Sequence, residues 1–364
     1  MRPIHRSRIV PVTLCACAVF CLEMAARVDT RLVCRRRREI LHQPDTLRGE
    51  PPLLTFTVVA LGGFRGIIAD VLWLRASHLQ DAGRYIELAQ LADWIAKLQP
   101  RCTEIWSYQA WNLAYNISVM MPVRTDKWRW VRNGIRLLRD EGIRYNASDP
   151  KLYAELGWLF QHKIGSETDR DHGFYRARWA TEMMELLGAF HPSYESLTQD
   201  PARLARMKKE YGLDPDIMRE IDTRFGRLDW RLPETHAVYW AYRGRLQARP
   251  GYSIECDRMI FSALTSLVFH GRLHFEPDRK LYRTSPAPEL IPAAVASFEF
   301  ALRNHEYKYI REAYAIFLRR IVRLLFTLKR EPEARQMFEE WRTRFPSPEN
   351  EAGFEAFVAE GGES

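Results

Sequence analysis

Two histidines and a glutamate form the first group whose spacing could support chemistry. His270 and His274 are four positions apart, so a helix would place both on one face, with Glu276 close by. Histidine nitrogens and carboxylate oxygens bind zinc, but no His-Glu-x-x-His motif completes the pair. Because the pair falls near the expected end of a helix, exposed or capping histidines are the better interpretation. We therefore expect neither a metal site nor a cofactor.

Two loops carry further residues that suit ligands. The stretch 62–66 (Gly-Gly-Phe-Arg-Gly) precedes a predicted helix but lacks the lysine and Ser/Thr of a phosphate-binding loop. Asp169, Asp171 and His172 could hold a cation, although acids in a polar loop are usually just solvated. The sequence contains no Gly-x-Ser-x-Gly elbow and no readable Cys–His arrangement. These observations favour a protein that is not an enzyme.

One polar cluster keeps an enzymatic alternative open. Asp229, Arg231, Glu234 and His236 crowd around the stretch Trp-Arg-Leu-Pro at 230–233. Such groups could line a pocket between a helical body and an irregular insertion. The alternative hypothesis is an enzyme, or an accessory of an enzyme, that holds a ligand there.

The positive charge of the chain is concentrated at the N-terminus. The chain of 364 residues has a net charge of +8, and residues 1–50 contribute +5 of it through ten arginines against five acids. The remaining body is nearly neutral, so its charge does not favour a nucleic-acid partner.

An apolar segment follows the basic residues 1–8. Residues 9–26 are almost wholly apolar, with a length between that of a signal-peptide core and that of a spanning helix. No clear cleavage site follows, so an uncleaved single-pass anchor is favoured over a cleaved signal. Residues 27–60 form a basic linker. The arginines after the segment favour a cytoplasmic body, whereas the arginine-rich start is also typical of exported chains, so the side of the membrane stays undecided.

From about residue 66 onward the pattern is helical. Apolar residues recur at spacings of three and four, and alternation with period 2 is scarce. Small residues recur where two helices would approach closely, and prolines recur where the second helix of a pair would end. These spacings indicate a repeat of about 34 residues, with units that start at Ala69, Thr103, Pro150, Ala237 and Ala315.

Several segments depart from this repeat, and each predicts a local irregularity. Additional residues precede the predicted helix at 128–141, the stretch 192–233 does not follow the 34-residue spacing, and prolines mark the loop at about 276–288. The expected departures are a connection at 120–127 before a helix over 128–141, short helices at about 200–210 and 215–225 followed by an extended stretch 228–233, a loop at about 276–288, and a fraying tail from 346.

The repeat resembles the tetratricopeptide repeat, a helix–turn–helix unit. The stretches 61–66 (LGGFRG), 69–76 (ADVLWLRA) and 228–233 (LDWRLP) are similar to those of bacterial, membrane-anchored repeat proteins. The resemblance covers roughly residues 50–350 and carries no activity that could be transferred. It implies an all-α fold, a right-handed α-α superhelix (a TPR-like solenoid) preceded by one N-terminal hydrophobic helix, at the bacterial inner membrane.

The resemblance also implies which residues line a concave groove. In this repeat, positions 2, 5, 9 and 12 of each first helix face the groove, and three such positions here are tryptophans. Exposed aromatic residues beside polar groups form interface hot spots. The predicted partner-binding residues are Asp70, Trp73, Gln80, Glu104, Trp111, Lys151, Trp158 and Gln161. The alternative is that the linker or the insertion fills the groove and buries the tryptophans.

One helix combines aromatic and basic residues. Arg132, Arg136 and Arg139 recur on one face beside Trp128 and Trp130, which could touch nucleic acid or acidic lipid. Nearby acids offset part of this charge, so a solvated face is the favoured interpretation.

The leading hypothesis is a non-enzymatic, membrane-anchored scaffold or assembly protein that binds a protein or peptide. A purely structural spacer is the remaining alternative. The predicted segments are a basic region 1–8, an anchor 9–26, a linker 27–60, repeats 61–190, an insertion 191–234, further repeats 235–348 and a tail 349–364.

Overall fold

The computed structural model describes residues 64–188, 191–249, 251–276, 281–305, 307–351 and 353–360. The predicted basic region, anchor and linker lie outside the described residues. The described chain is mostly helical, with one short antiparallel hairpin, which confirms the all-α expectation at this level. None of the helices in these ranges has the length and apolar character needed to cross a membrane.

The chain divides into two compact units, which are described separately. The first contains residues up to Asp81 together with Lys97–Gln99, and the second contains Ala82–Ala96 and all residues from Pro100. In the first unit, helix α1 (Phe64–Asp81) buries Ala69, Ala76 and Leu79 on one face.

The second unit continues with helices joined mostly by short turns. Helix α2 covers Tyr85–Leu98. Four later helices each include a wider π-helical turn: α3 (Thr103–Trp111, Asn112–Ile117, Ser118–Met120), α4 (Arg124–Arg136, Leu137–Gly142, Ile143–Tyr145), α5 (Pro150–Trp158, Leu159–Ile164) and α8 (Pro201–Arg206, Met207–Tyr211). The other elements are α6 (His172–Leu187), α7 (Tyr194–Gln199), α9 (Pro215–Phe225), α10 (Pro233–Gln247), α11 (Ile254–His270), β1 (Arg272–Glu276), β2 (Leu281–Ser285), α12 (Ile291–Asn304), α13 (Lys308–Thr327), α14 (Glu331–Arg344), α15 (Pro348–Glu351) and α16 (Phe354–Glu360).

Local sequence sets several helix ends. Asp149 accepts a hydrogen bond from the Lys151 amide at the start of α5, and Pro150 occupies the first helical position, where its missing N–H costs nothing. At the C-terminal ends of α6 and α8, Gly188 and Gly212 adopt the left-handed conformation (φ of 76° and 68°) that ends each helix. Of the five residues at which repeat units were expected to start, Thr103 and Pro150 begin helices, whereas Ala69, Ala237 and Ala315 lie inside α1, α10 and α13.

Four helices of the second unit, α3, α5, α11 and α13, run parallel to one another. In each pair of neighbouring helices, residues near the two starts lie together, and so do residues near the two ends. The contacts are Glu104–Lys151 and Tyr115–His162 between α3 and α5, and Cys256–Pro150 and Gln161–Ser266 between α5 and α11. Between α11 and α13, Arg320 lies over the Phe269 ring near the helix ends, and Arg258 interacts electrostatically with Tyr309 near the starts.

A second set of helices packs antiparallel to this row. Helix α4 lies on α3, α10 lies against both α5 and α11, α12 lies between α11 and α13, and α14 lies on α13. Small residues permit the closest approaches, because a Cβ on Gly134 would be 2.7 Å from the Ala110 carbonyl oxygen, and one on Gly244 would be 2.5 Å from the Tyr153 Cβ. Three tryptophans of these helices are buried: Trp106, Trp240 and Trp341.

The irregular region lies between α5 and α10. The short helices expected at about 200–210 and 215–225 are confirmed as α8 and α9, and α7 precedes them. Helix α6, which follows the polar loop, places Trp179 against Phe160 of α5 (ring centroids 5.0 Å apart). Helix α10 is therefore the main antiparallel partner of α5, and helices α6–α9 are inserted between the two along the chain.

The prediction of a loop at about 276–288 is partly wrong. Residues 272–276 and 281–285 form an antiparallel hairpin, β1 and β2, in which Leu273 is buried opposite Thr284. Two strands of five residues are too short to give a clear period-2 pattern against a helical background. The tail also differs from expectation, because it contains α15 and α16, with Phe354 and Phe357 buried.

Candidate partner-binding surface

Four rings on α3 and α5 form a continuous series of ring contacts, the aromatic ladder, which consists of Trp111, Tyr115, His162 and Trp158. Trp111 stacks on Tyr115 with ring centroids 5.6 Å apart, and Trp158 stacks on His162 at 4.5 Å. Tyr115 and His162 join the two helices, with centroids 5.7 Å apart and 2.9 Å between Tyr115 Oη and His162 Nδ1.

The two tryptophans at the ends of the ladder face solvent. Trp111 is 43% exposed and Trp158 is 40% exposed. Both helices pass through a wider π-helical turn just after these residues, over 112–117 and 159–164. Such turns occur often at functional sites, because they change which side chains share a face of the helix.

A buried ion pair lies beneath the ladder. The Lys163 side chain is almost fully buried, and its Nζ lies 2.5 Å from Asp169 Oδ2 and 4.8 Å from the centre of the Tyr115 ring. An ammonium over a ring face is attracted by the π electrons. Burial lowers the pKa of Lys163, and Asp169 opposes that change. The ladder therefore has a fixed polar support on its inner side.

The titratable groups of the ladder are held in their neutral forms. Burial raises the pKa of Tyr115 above its ordinary value. Burial, followed by the charge of Lys163, lowers the pKa of His162. The four rings of the ladder therefore carry no charge at neutral pH.

Ionic groups at the start of the same helices form one rim. Lys151 Nζ lies 3.1 Å from Glu104 Oε1, and both side chains are partly exposed. A hydrogen bond from its own backbone amide, together with Lys151, lowers the pKa of Glu104 to about 2. Burial raises the pKa of Glu155, one turn further along α5.

Gln161 lies between α5 and α11. Its Nε2 donates to Ser262 Oγ at 3.0 Å and to Ser266 Oγ at 3.1 Å, whereas its Oε1 is buried without a hydrogen-bond partner. This predicted groove residue therefore joins two helices of the parallel row.

The structure brings five of the eight predicted groove residues together on α3 and α5. These are Glu104, Trp111, Lys151, Trp158 and Gln161. The other three, Asp70, Trp73 and Gln80, lie on α1 in the first unit, with Asp70 and Gln80 exposed and Trp73 half-buried.

Sequence reasoning missed two rings of the ladder, Tyr115 and His162. Each lies four residues after a predicted groove tryptophan, and this spacing places the pair on one helical face. The repeat rule did not select them because it counts positions in a regular helix and does not allow for π-helical turns.

The polar cluster at 229–236 is buried. Arg231 donates to both carboxylate oxygens of Asp229, at 2.9 and 2.6 Å, and to the Leu273 carbonyl oxygen. His236 Nε2 lies 2.9 Å from the Trp230 carbonyl oxygen, and burial lowers its pKa to about 4. Asp229, Arg231 and His236 therefore hold the chain that enters α10.

Glu234 differs from the rest of this cluster. Burial raises its pKa to about 7, and a hydrogen bond from its own backbone amide and the charge of Arg176 oppose the change. The carboxylate fits against Gly165, where a Cβ would come within 2.6 Å of Glu234 Oε1. Glu234 is thus a buried acid that can gain or lose a proton near neutral pH.

The other groups considered as ligand sites are separated or already paired. His270 ends α11, whereas His274 lies in β1, so the two do not share a helical face. Asp169 pairs with Lys163, and Asp171 pairs with Lys127 at 2.7 Å. No cluster of three His, Cys, Asp or Glu side chains suited to a metal ion occurs in the described ranges.

The basic face of α4 is largely engaged with neighbouring residues. Arg132 pairs with Glu182 of α6, and Arg139 pairs with Asp140 and donates to the Glu210 carbonyl oxygen. Arg136 is exposed. The three arginines expected on one face therefore have different environments.

Comparison with protein-family models, with curated proteins and with solved structures finds no match to the chain.

Proposed function

We propose that the protein is a non-enzymatic, membrane-anchored scaffold or assembly protein that binds a protein or peptide partner on the aromatic ladder. The observation that carries the proposal is the exposure of Trp111 and Trp158 on one series of contacting rings that joins two helices. Tryptophan dominates binding energy at protein interfaces because it buries a large apolar area at a small cost in side-chain entropy.

The ladder is organised before any partner arrives. The Tyr115–His162 contact fixes the inner rings, and Lys163 with Asp169 supports them from below. A partner that binds a fixed surface loses less affinity to the ordering of side chains. The neutral rings favour a partner that presents apolar side chains, and the Glu104–Lys151 pair supplies a polar rim.

The arrangement of the helices supports a TPR-like solenoid for the second unit. A parallel row, α3, α5, α11 and α13, with a second antiparallel set behind it is the arrangement that stacked helix pairs produce. The right-handed superhelix and the anchor at residues 9–26, with the inner-membrane location, belong to the same proposal.

Alanine substitution of the exposed indoles tests this proposal. The full-length chain with both Trp111→Ala and Trp158→Ala should recover its partners from detergent-solubilised membranes at least about tenfold less efficiently than the wild type. The recovered proteins are compared by quantitative mass spectrometry.

Trp94→Ala is the matched control, because Trp94 is 61% exposed and lies on α2, outside the ladder. Its partner recovery should equal that of the wild type, and thermal melts should show all three chains folded. Unchanged partners in the folded double variant would remove the ladder from the proposal and leave the structural spacer.

Glu234 is the residue that favours the alternative hypothesis of an enzyme. An acid with a pKa of about 7 suits proton transfer near neutral pH. The alternative requires a ligand that reaches this carboxylate. It predicts that a bound small molecule is retained by the purified wild type and lost from Glu234→Gln, which native mass spectrometry can measure.

A further inference from the structure

The turn between α3 and α4 exposes an uninterrupted apolar run. Residues 119–123, here called the 119–123 tip, read Val-Met-Met-Pro-Val. Val119 is 54% exposed, Met120 is 49% exposed and Val123 is 51% exposed. Consecutive exposed apolar residues are unfavourable in water and usually mark a place that another apolar phase covers.

The backbone holds the 119–123 tip in place at both ends. The Met121 amide donates to the Ser118 carbonyl oxygen, and the Asp126 and Lys127 amides both donate to the Val123 carbonyl oxygen. Met121 and Val123 are extended between the two helices. The exposed apolar side chains therefore lie on a turn whose backbone is hydrogen-bonded at both ends, which suits insertion into an apolar phase.

The charges beside the 119–123 tip are positive overall. Arg124 and Lys127 share the buried carboxylate of Asp171, and Arg129 lies 3.3 Å from Asp126. Three cations thus face two carboxylates. The side chains of Arg124 and Arg129 are 67% and 73% exposed, so both can reach anionic groups in solvent.

A second apolar site lies at the same end of the parallel row. Helix α13 runs parallel to α3 through α5 and α11, so its C-terminal end lies on the same side as the 119–123 tip. Phe326 is 40% exposed and Leu328 is 39% exposed there, and Lys329 follows. Two apolar sites with adjacent cations at one end of a helix row suit a flat partner better than a small ligand.

We propose that the 119–123 tip inserts into the headgroup region of a bilayer that contains anionic lipid, with Arg124 and Arg129 against the phosphates. Apolar side chains beside cations are the combination that binds such an interface. The inference does not depend on the aromatic ladder. It does use the membrane anchor of the proposed function, which keeps the bilayer within reach.

Photo-crosslinking in the full-length chain tests the insertion. The protein is reconstituted in vesicles of phosphatidylcholine and phosphatidylglycerol with benzoylphenylalanine at Met120, or at Leu246 as the control. Leu246 is similarly exposed (51%) but lies near the end of α10, which runs antiparallel to the row. We expect phospholipid adducts from position 120 and at least about tenfold fewer from position 246.

A second variant checks the chemistry of the contact. With Val119→Asp and Val123→Asp added, lipid adducts at position 120 should fall at least about tenfold, because anionic headgroups repel the new carboxylates. Vesicles without phosphatidylglycerol should give fewer adducts, and an equal yield would contradict the role of the arginines.

Flotation of the same samples separates the two possible failures. A chain that floats with the vesicles but gives no lipid adduct at position 120, or gives a protein adduct instead, overturns the insertion and leaves the anchor intact. A chain that does not float overturns both the anchor and the insertion. The ladder is unaffected by either result.

Discussion

At the scale of single residues, Glu234 and His236 are two buried titratable groups with opposite consequences. Burial raises the pKa of Glu234 from 4.5 to about 7 and lowers the pKa of His236 from 6.5 to about 4. Both groups therefore favour their neutral forms in the folded chain. Between pH 4.5 and 6.5 both groups affect the stability of the fold. As pH rises through this range, Glu234 lowers the stability and His236 raises it.

Glu234→Gln should expose this compensation. Below pH 4.5 the carboxyl is protonated in both states, whereas above pH 7 folding costs the carboxylate its solvation. The stability of the variant relative to the wild type should therefore rise by about 3 kcal/mol across this range. Urea unfolding at several pH values measures the difference.

Glu167→Gln is the control for this experiment, because the Glu167 carboxylate is exposed. It should leave the pH profile unchanged. A constant difference in stability between Glu234→Gln and the wild type at all pH values would contradict a neutral Glu234 in the fold.

At the scale of elements, the approach of α10 to α5 and α11 depends on one glycine. A Cβ on Gly244 would lie 2.5 Å from the Tyr153 Cβ and 2.6 Å from Cys256 Sγ. The Tyr153 Cβ is fixed to its own backbone, and Cys256 is fully buried, so an added methyl group must move a helix. The buried face of α10, which includes Ala237 and Trp240, then packs less closely.

Gly244→Ala should therefore destabilise the fold by about 1–3 kcal/mol, despite the better helix propensity of alanine. Gly173→Ala is the matched comparison, because Gly173 lies in α6 with no atom within 4 Å of an added Cβ. That change should be neutral or stabilise by up to about 1 kcal/mol. Urea midpoints measure both, and equal midpoints would contradict the packing argument.

The elements also show how far the sequence alone could lead. The helix starts at Thr103 and Pro150 followed from helical periodicity and small residues. The π-helical turns and the hairpin did not, because neither leaves a strong period in the sequence. Tyr115 and His162 were missed for that reason. The position of α10 beside α5 depends on contacts between distant parts of the chain, which periodicity cannot reveal.

At the scale of the whole molecule, the proposed anchor predicts how the chain fractionates. The full-length protein should remain with membranes after a carbonate wash, whereas a chain without residues 9–26 should appear in the soluble fraction. The reason is the loss of the apolar segment, which outweighs any contact made by the 119–123 tip. Immunoblotting of both fractions measures the distribution.

A chain from which residues 27–60 are removed instead serves as the control and should stay with the membrane. Release of the full-length protein by carbonate alone would contradict an anchor at residues 9–26. Trypsin added to spheroplasts then assigns the side of the membrane, because only a periplasmic body is cleaved.

The aromatic ladder crosses from one helix to the next, and this has a mechanical consequence. A row of parallel helices bends most easily where neighbouring helices meet, and the Tyr115–His162 contact lies at such a junction. A partner that covers both Trp111 and Trp158 binds one curvature of α3 relative to α5 more tightly than others. Because coupling of this kind is reciprocal, any force that changes this curvature also changes the affinity for the partner.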